Sequence, residues 1–483
     1  MRAPHVGICF ALAAAACGTD FQAPPAPPPP PPAVTWYQDA APIVSKHCMS
    51  CHQAGGIAPF SLTDYTDAAE HAQDVLAQIT SGTMPPFDAR EEPDCTPRYG
   101  WVDDPRLSPA EIATMQQWVD DGTAAGAVAE VAVPTSPALT GVTMTLTPTQ
   151  AFTASGDQDE FMCTILDPQV AAGAWLTGLQ VRPGTADAVH HVVVGELEAG
   201  AATDALVAAH GIGVPWDCST TANPASFVMN IWTPGNDPFE APTGMAVPVT
   251  AGAKIVMQIH YHPAGTTHAP DATSIDLRTS AVWPQRMYFV GAVGNAAAAP
   301  ELLPDPDDRV PGVPEFRIPA NKADHEESMQ FVLTDFGGAT DIRVYSVNPH
   351  MHLLGTHIRG TIARAAPATG EPANECLANG LWNFDWQRTY IYDAPMDALP
   401  TIAVGDTVSV QCHWNNTFEN PFEQRALADQ GLGEPVDVGL GEGSSTDEMC
   451  LEIFGLSIPA PVTPTAVVPH ATAPSWSRSR LRS

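Results

Sequence analysis

Four short runs set the strongest limit on how this chain can fold. Residues 188–194, 254–262, 341–352 and 407–414 are rich in Val, Ile and Thr, read with period two, and are separated by turn residues. That pattern predicts extended strands in packed sheets. The composition agrees, with 49 Pro and 37 Gly and only 15% charged residues, which favours turn-rich β structure over helical bundles. The span from about 143 to about 463 exceeds one small sandwich and predicts two, divided at 143–300 and 301–463. At 483 residues the chain has room for about three domain-sized units.

The third unit is predicted at 35–127, where Cys48-Met49-Ser50-Cys51-His52 stands. C-x-x-C-H is the attachment pattern of a c-type haem, with two thioethers to the porphyrin and the histidine as proximal iron ligand. A lone pattern of this kind also fits a redox pair or half a zinc site, so a sixth ligand matters. Met84, stiffened by Pro85 and Pro86, is the candidate; its alternative role is a buried gap-filler. Downstream, Ser108 and Glu111 form a capping-box pattern with Pro109 in the first turn. Ile112, Met115, Trp118 and Val119 supply an apolar stripe, and Gly122 ends the helix. The segment resembles small bacterial cytochrome c domains, which are all-α.

Ahead of this unit, an apolar run at 6–16 after Arg2 ends in Ala14-Ala15-Ala16-Cys17. It reads as an export signal over 1–16, too short to span a bilayer. Cys17 directly after the small residues resembles a bacterial lipoprotein site, although Ala14 stands where a larger aliphatic residue is preferred. The expected location is periplasmic or cell-envelope, with a lipid anchor or simple secretion as the two routes. Residues 17–34 form a proline-rich linker, 128–142 a second linker, and 464–483 a tail without periodicity. The net charge of −34, from 20 Lys+Arg against 54 Asp+Glu, excludes nucleic acid and anionic membrane surfaces as partners.

Three histidine clusters lie in the β runs: His190-His191, His260 with His262, and His350 with His352. H-x-H on a strand puts both imidazoles on one face. The adjacent pair would diverge on a regular strand and can share a metal only across a bulge or kink, or through different ring nitrogens. Imidazole-rich sites with an occasional thioether suit copper. Ordinary surface or core histidines explain any single cluster; three together point to metal.

Five stretches in order carry a family resemblance: 159–163 (Asp-Glu-Phe-Met-Cys), 189–191 (Val-His-His), 258–261 (Gln-Ile-His-Tyr), 350–353 (His-Met-His-Leu) and 447–450 (Asp-Glu-Met-Cys). Over about 310 residues, 146–458, the chain resembles the ascorbate-dependent type II copper monooxygenases, the peptidylglycine hydroxylating and dopamine β-monooxygenases. The resemblance implies two jelly-roll-like sandwich domains holding one copper each across a cleft. It implies an electron-transfer copper on His190, His191 and His260, and an oxygen-activating copper on His350, His352 and Met449. It also implies disulfides Cys163–Cys218 and Cys412–Cys450; the pairing of Cys95 and Cys376 stays open. His262 is expected to support His260 or face solvent, and His357 to be a surface residue. Where the peptide-hydroxylating members carry a substrate-binding arginine and tyrosine, this chain has Asn348 and Ile453. The copper ligands match and the substrate pocket does not.

The expected fold is thus a small all-α cytochrome c domain followed by two all-β copper sandwiches. The expected activity is C–H hydroxylation of a small organic substrate with O2. Electrons would arrive through the haem, an ascorbate-like reductant or an electron-transfer protein. The alternative is a non-catalytic electron-transfer or redox-sensing haem/copper lipoprotein. A copper store is disfavoured, because storage uses many soft sulfur ligands and only Met449 offers one here.

Overall fold

A computed structural model describes residues 33–461 except 55–57, 136, 156–158, 219–222, 262–267 and 337. The expected leader, Cys17, the proline-rich linker up to residue 32, His262 and the tail lie outside the described residues.

Strands dominate. A ten-stranded sheet runs through both halves of the β body. Its seam is the antiparallel pair Arg286–Gly294 and Leu451–Pro459, matched over nine residues from Arg286↔Pro459 to Gly294↔Leu451. At the end of this seam Gly294 has φ +130°, and a Cβ there would overlap the Cys450 carbonyl, so only glycine lets the two strands close beside Met449. A five-stranded sheet in the N-terminal half includes Glu160–Leu166, Val189–Leu197 and Lys254–Tyr261. A four-stranded sheet in the C-terminal half includes Lys322–Val332, Gly355–Ala363 and Thr407–Asn416. The last strand shows the period-two logic plainly. Val408, Val410, Cys412, Trp414 and Asn416 are buried, while the residues between them are half-buried.

The disulfides Cys163–Cys218 and Cys412–Cys450 form as the resemblance implied. Cys95 pairs with Cys376, the bridge the sequence left open. Three disulfides are consistent with an exported protein.

The expected fold class needs correction. Helices do occur at Trp36–Ala40, Ala41–His47, Tyr65–Glu70, Ala72–Ser81 and Pro109–Asp120. The last opens with the expected capping box and buries Met115, Trp118 and Val119. These helices share a small core with Trp36, Val44 and Leu76. They do not make a distinct all-α domain over 35–127, because residues 82–107 leave them and join the β body. Ala89 bridges Gly380, Trp101 bridges Tyr392, Arg98 pairs with Glu375, and the Cys95–Cys376 disulfide fastens the loop. Prolines 85, 86, 93, 97 and 105 bar a helix there. Phe87 and Trp101 instead bury in the large core that contains Trp382, Phe384 and Trp414. Nor are the two sandwiches separate sheets, since the ten-stranded sheet is common to both.

Candidate metal centre

The strand Val189–Leu197 pairs with Lys254–Tyr261, with Val189 opposite Tyr261 and His191 opposite His260. The register shifts between Val189 and His191, so His190 is the extra residue of a bulge. This is the distortion that neighbouring histidines need if both are to face one point. The Nδ1 atom of His190 lies 3.2 Å from Nδ1 of His191 and 3.2 Å from Nδ1 of His260; the latter two are 3.3 Å apart.

The outer nitrogens decide the chemistry of that triangle. His190 Nε2–H donates to the Phe384 carbonyl at 3.1 Å, and His260 Nε2 lies 3.1 Å from Asp159 Oδ1. Protons held on those nitrogens leave Nδ1 lone pairs converging. Burial, then the neighbouring His260 and His190, push the His191 pKa well below its usual value, so that ring is neutral. Three ring nitrogens this close need a shared proton or a cation between them. The centre of a triangle of side 3.2 Å lies about 1.9 Å from each corner, close to a metal–imidazole bond of about 2.0–2.1 Å. The residues fit a three-coordinate metal ion. Phe161 stacks on His260 at 4.2 Å and Phe384 on His190 at 4.8 Å, fixing both rings.

The second histidine pair differs from the expectation in one respect. The strand Ile342–His350 ends at His350, and His352 lies in the turn beyond it. Glu448 is the cause. Its wholly buried carboxylate accepts His352 N–H at 2.9 Å, Leu354 N–H at 2.6 Å, Trp414 Nε1–H at 2.9 Å and Met449 N–H at 3.3 Å. These bonds take the backbone out of the ladder and tie the backbone N–H groups of His352 and Met449 to one carboxylate. The His350 and His352 rings stand nearly perpendicular, 5.5 Å between centroids. His350 Nδ1–H donates to Gln387 Oε1 at 3.1 Å, and His352 Nδ1–H to the Asp447 carbonyl at 2.9 Å. His350 therefore keeps Nε2 for a ligand, while His352 has a second backbone acceptor in Gly443. Burial holds His350 down to about 3 and His352 down to about 4, so both are neutral imidazoles at neutral pH.

The two groups face each other across the halves. His260 lies near enough to help depress both His350 and His352. Gln387 links them: its Nε2–H donates to the same Phe384 carbonyl that His190 holds, and its Oε1 accepts from His350. Ser444 Oγ–H donates to Asp159 Oδ2 at 2.8 Å, a second tie. Phe384, Gln387 and Glu448 had no recognised role in the sequence. Glu448 was visible only as a neighbour of Met449, and Gln387 carried no signal at all.

A cavity of about 350 Å³ reaches Asn348, two residues before His350, and is lined also by Ile453, Trp232, Tyr288, Tyr345 and Arg388; neither the histidines nor Met449 line it. Asn348 and Ile453 are the positions where the sequence departed from the substrate-binding residues of the resembled family. Asp237, also at this cavity, has its carboxyl raised by burial and by Asp103, against the opposing pull of Arg388.

At the N-terminal end, Cys48 and Cys51 are not in disulfides. Burial pushes the Cys48 thiol up to about 12. His52 Nδ1–H donates to the Phe60 carbonyl at 3.1 Å, which leaves Nε2 for an axial bond. Met84 is half-buried just past the helix Ala72–Ser81. His71, stacked on Phe60 at 4.0 Å, lies close enough to lower the His52 pKa and was not foreseen. His357 is not a free surface residue: it packs against His413 and sits 3.8 Å from Glu92.

No protein-family model matches the chain, and no curated protein matches it. Among solved structures, the major capsid protein P2 of bacteriophage PM2 aligns over 65% of this chain and 97% of its own, at 10% identity and TM-score 0.24. The VP2 subviral particle of infectious bursal disease virus aligns over 68% and 84%, at 9% identity and TM-score 0.09. Scores this low establish no shared fold.

Proposed function

We propose that this chain is a copper-dependent monooxygenase that hydroxylates a C–H bond of a small organic substrate with O2. The observation that carries the reading is the triangle of Nδ1 atoms on His190, His191 and His260, facing a second neutral histidine pair whose His352 N–H shares the Glu448 carboxylate with the N–H of Met449. Imidazole-only and imidazole–thioether donor sets suit copper. This is also the division of ligands in the type II copper monooxygenases that the sequence resembles. Copper bound at both groups would supply dioxygen activation and store one electron at each site.

The chain's own residues do the rest. Asp159 and the Phe384 carbonyl hold protons on the outer nitrogens of His260 and His190. Gln387 and the Asp447 carbonyl do the same for His350 and His352, through their Nδ1 atoms. The cavity that reaches Asn348, of a size that suits a small ligand, would bind substrate by its aromatic walls and hold it by Asn348 and Arg388. Haem at Cys48, Cys51 and His52 would supply electrons from an external donor.

Oxygen uptake tests the proposal. Copper-loaded, full-length protein with ascorbate should consume O2, and His352→Ala should lose at least about 100-fold of that rate, as expected when a metal ligand is removed. Uptake equal in the variant and the parent would contradict catalysis at this group and leave an electron-transfer protein.

A further inference from the structure

Away from these sites, a further set of ligand-type side chains converges among the described residues. On the strand Lys322–Val332, His325, Glu327 and Met329 take the buried positions. A turn at 305–308 lies over the first two. The ligand atoms of Asp305, Asp307 and His325 all lie within 4.8 Å of one another. His325 Nδ1 is 3.2 Å from Asp307 Oδ2, and His325 Nε2 is 3.1 Å from Glu327 Oε1. Glu327 is wholly buried, and its Oε2 has no hydrogen-bond partner.

The turn is built rather than loose. Asp308 accepts the Asp305 N–H at 3.1 Å and the Glu315 N–H at 3.0 Å, and Asp305 accepts the Asp307 N–H at 2.6 Å. Arg317 grips the Asp307 carbonyl. With these backbone groups engaged, the outer oxygens of Asp305 and Asp307 are turned toward His325. Lys322 Nζ stands 3.0 Å from Asp307 on the solvent side, occupying the place of a cation.

We propose that Asp305, Asp307 and Nδ1 of His325 form a third metal site, for a divalent transition ion and zinc by preference. The nitrogen donor and the small ligand number argue against calcium, which takes six to eight oxygens. In this arrangement His325 donates its Nε2–H to Glu327, the carboxylate–histidine–metal relay that orients a ligating ring. The ion fastens the 305–308 turn to the four-stranded sheet and takes no part in oxygen chemistry, so the site stands or falls apart from the proposed activity.

Full-length protein freed of metal by a chelator and titrated with Zn2+ tests this. Asp305→Asn with Asp307→Asn should bind one zinc fewer than the parent, whereas His352→Ala should keep that zinc. Equal zinc counts in the parent and the double variant would overturn the proposal. Lys322→Ala provides a readout in a protein whose turn is intact. Losing the competing cation should tighten this zinc by about threefold or more, the scale of one exposed ion pair. Unchanged or weaker affinity would equally overturn it.

Discussion

Glu448→Ala is expected to unfold the second metal group and to cost the protein several kcal/mol. The carboxylate sits at 0% exposure and receives four donors from three segments: the turn after His350, the indole of Trp414 and its own neighbour Met449. Alanine leaves buried N–H groups of His352, Leu354 and Trp414 without partners, at about 1–3 kcal/mol each. The sum, about 4 kcal/mol after partial relaxation, is large against a usual stability of about 5–15 kcal/mol. Burial raises the Glu448 pKa to about 7 while its four donors pull the other way. Chemical denaturation measures the stability loss, and copper counting should show one ion retained at His190, His191 and His260. A variant with full stability and two coppers would show that the carboxylate does not hold the turn.

Gln387→Leu should act with little loss of fold and a large loss of metal. The side chain is 8% exposed and its two ends serve the two groups, Oε1 taking the His350 Nδ1–H and Nε2 donating to the Phe384 carbonyl. Leucine of similar volume keeps the packing. It removes the acceptor that fixes the ring of His350, a kind of loss that typically weakens metal binding about 10–100-fold. His190 keeps the Phe384 carbonyl as its own acceptor, so copper at the first group should weaken less than about threefold. Competition titration with a copper chelator separates the two sites. Equal weakening at both would mean that the glutamine supports the boundary between the halves rather than His350.

Much of the centre was legible because the chemistry lies in local patterns. Adjacent histidines on a strand must diverge, and the chain answers with a bulge at His190. The disulfides Cys163–Cys218 and Cys412–Cys450 were implied by the family resemblance. What sequence could not show is what distant segments do together. Phe384 and Gln387 belong to a short 3-10 turn and its exit, with no pattern of their own, and acquire a role only when the halves meet. The H-x-H at 350–352 misled in a small way, because a strand period was assumed across a turn that Glu448 imposes. The error over 82–107 had the same source. Helices on both sides suggested one helical domain, yet the proline-rich stretch between them had a larger core within reach.

The central claim is that His190, His191 and His260 present three Nδ1 lone pairs to a single ion. Diffraction from copper-soaked crystals at the copper absorption edge tests it directly. An anomalous peak at the centre of the Nδ1 triangle, about 2 Å from each nitrogen, is the expected result. A triangle without a peak, in crystals whose copper lies elsewhere, would contradict it.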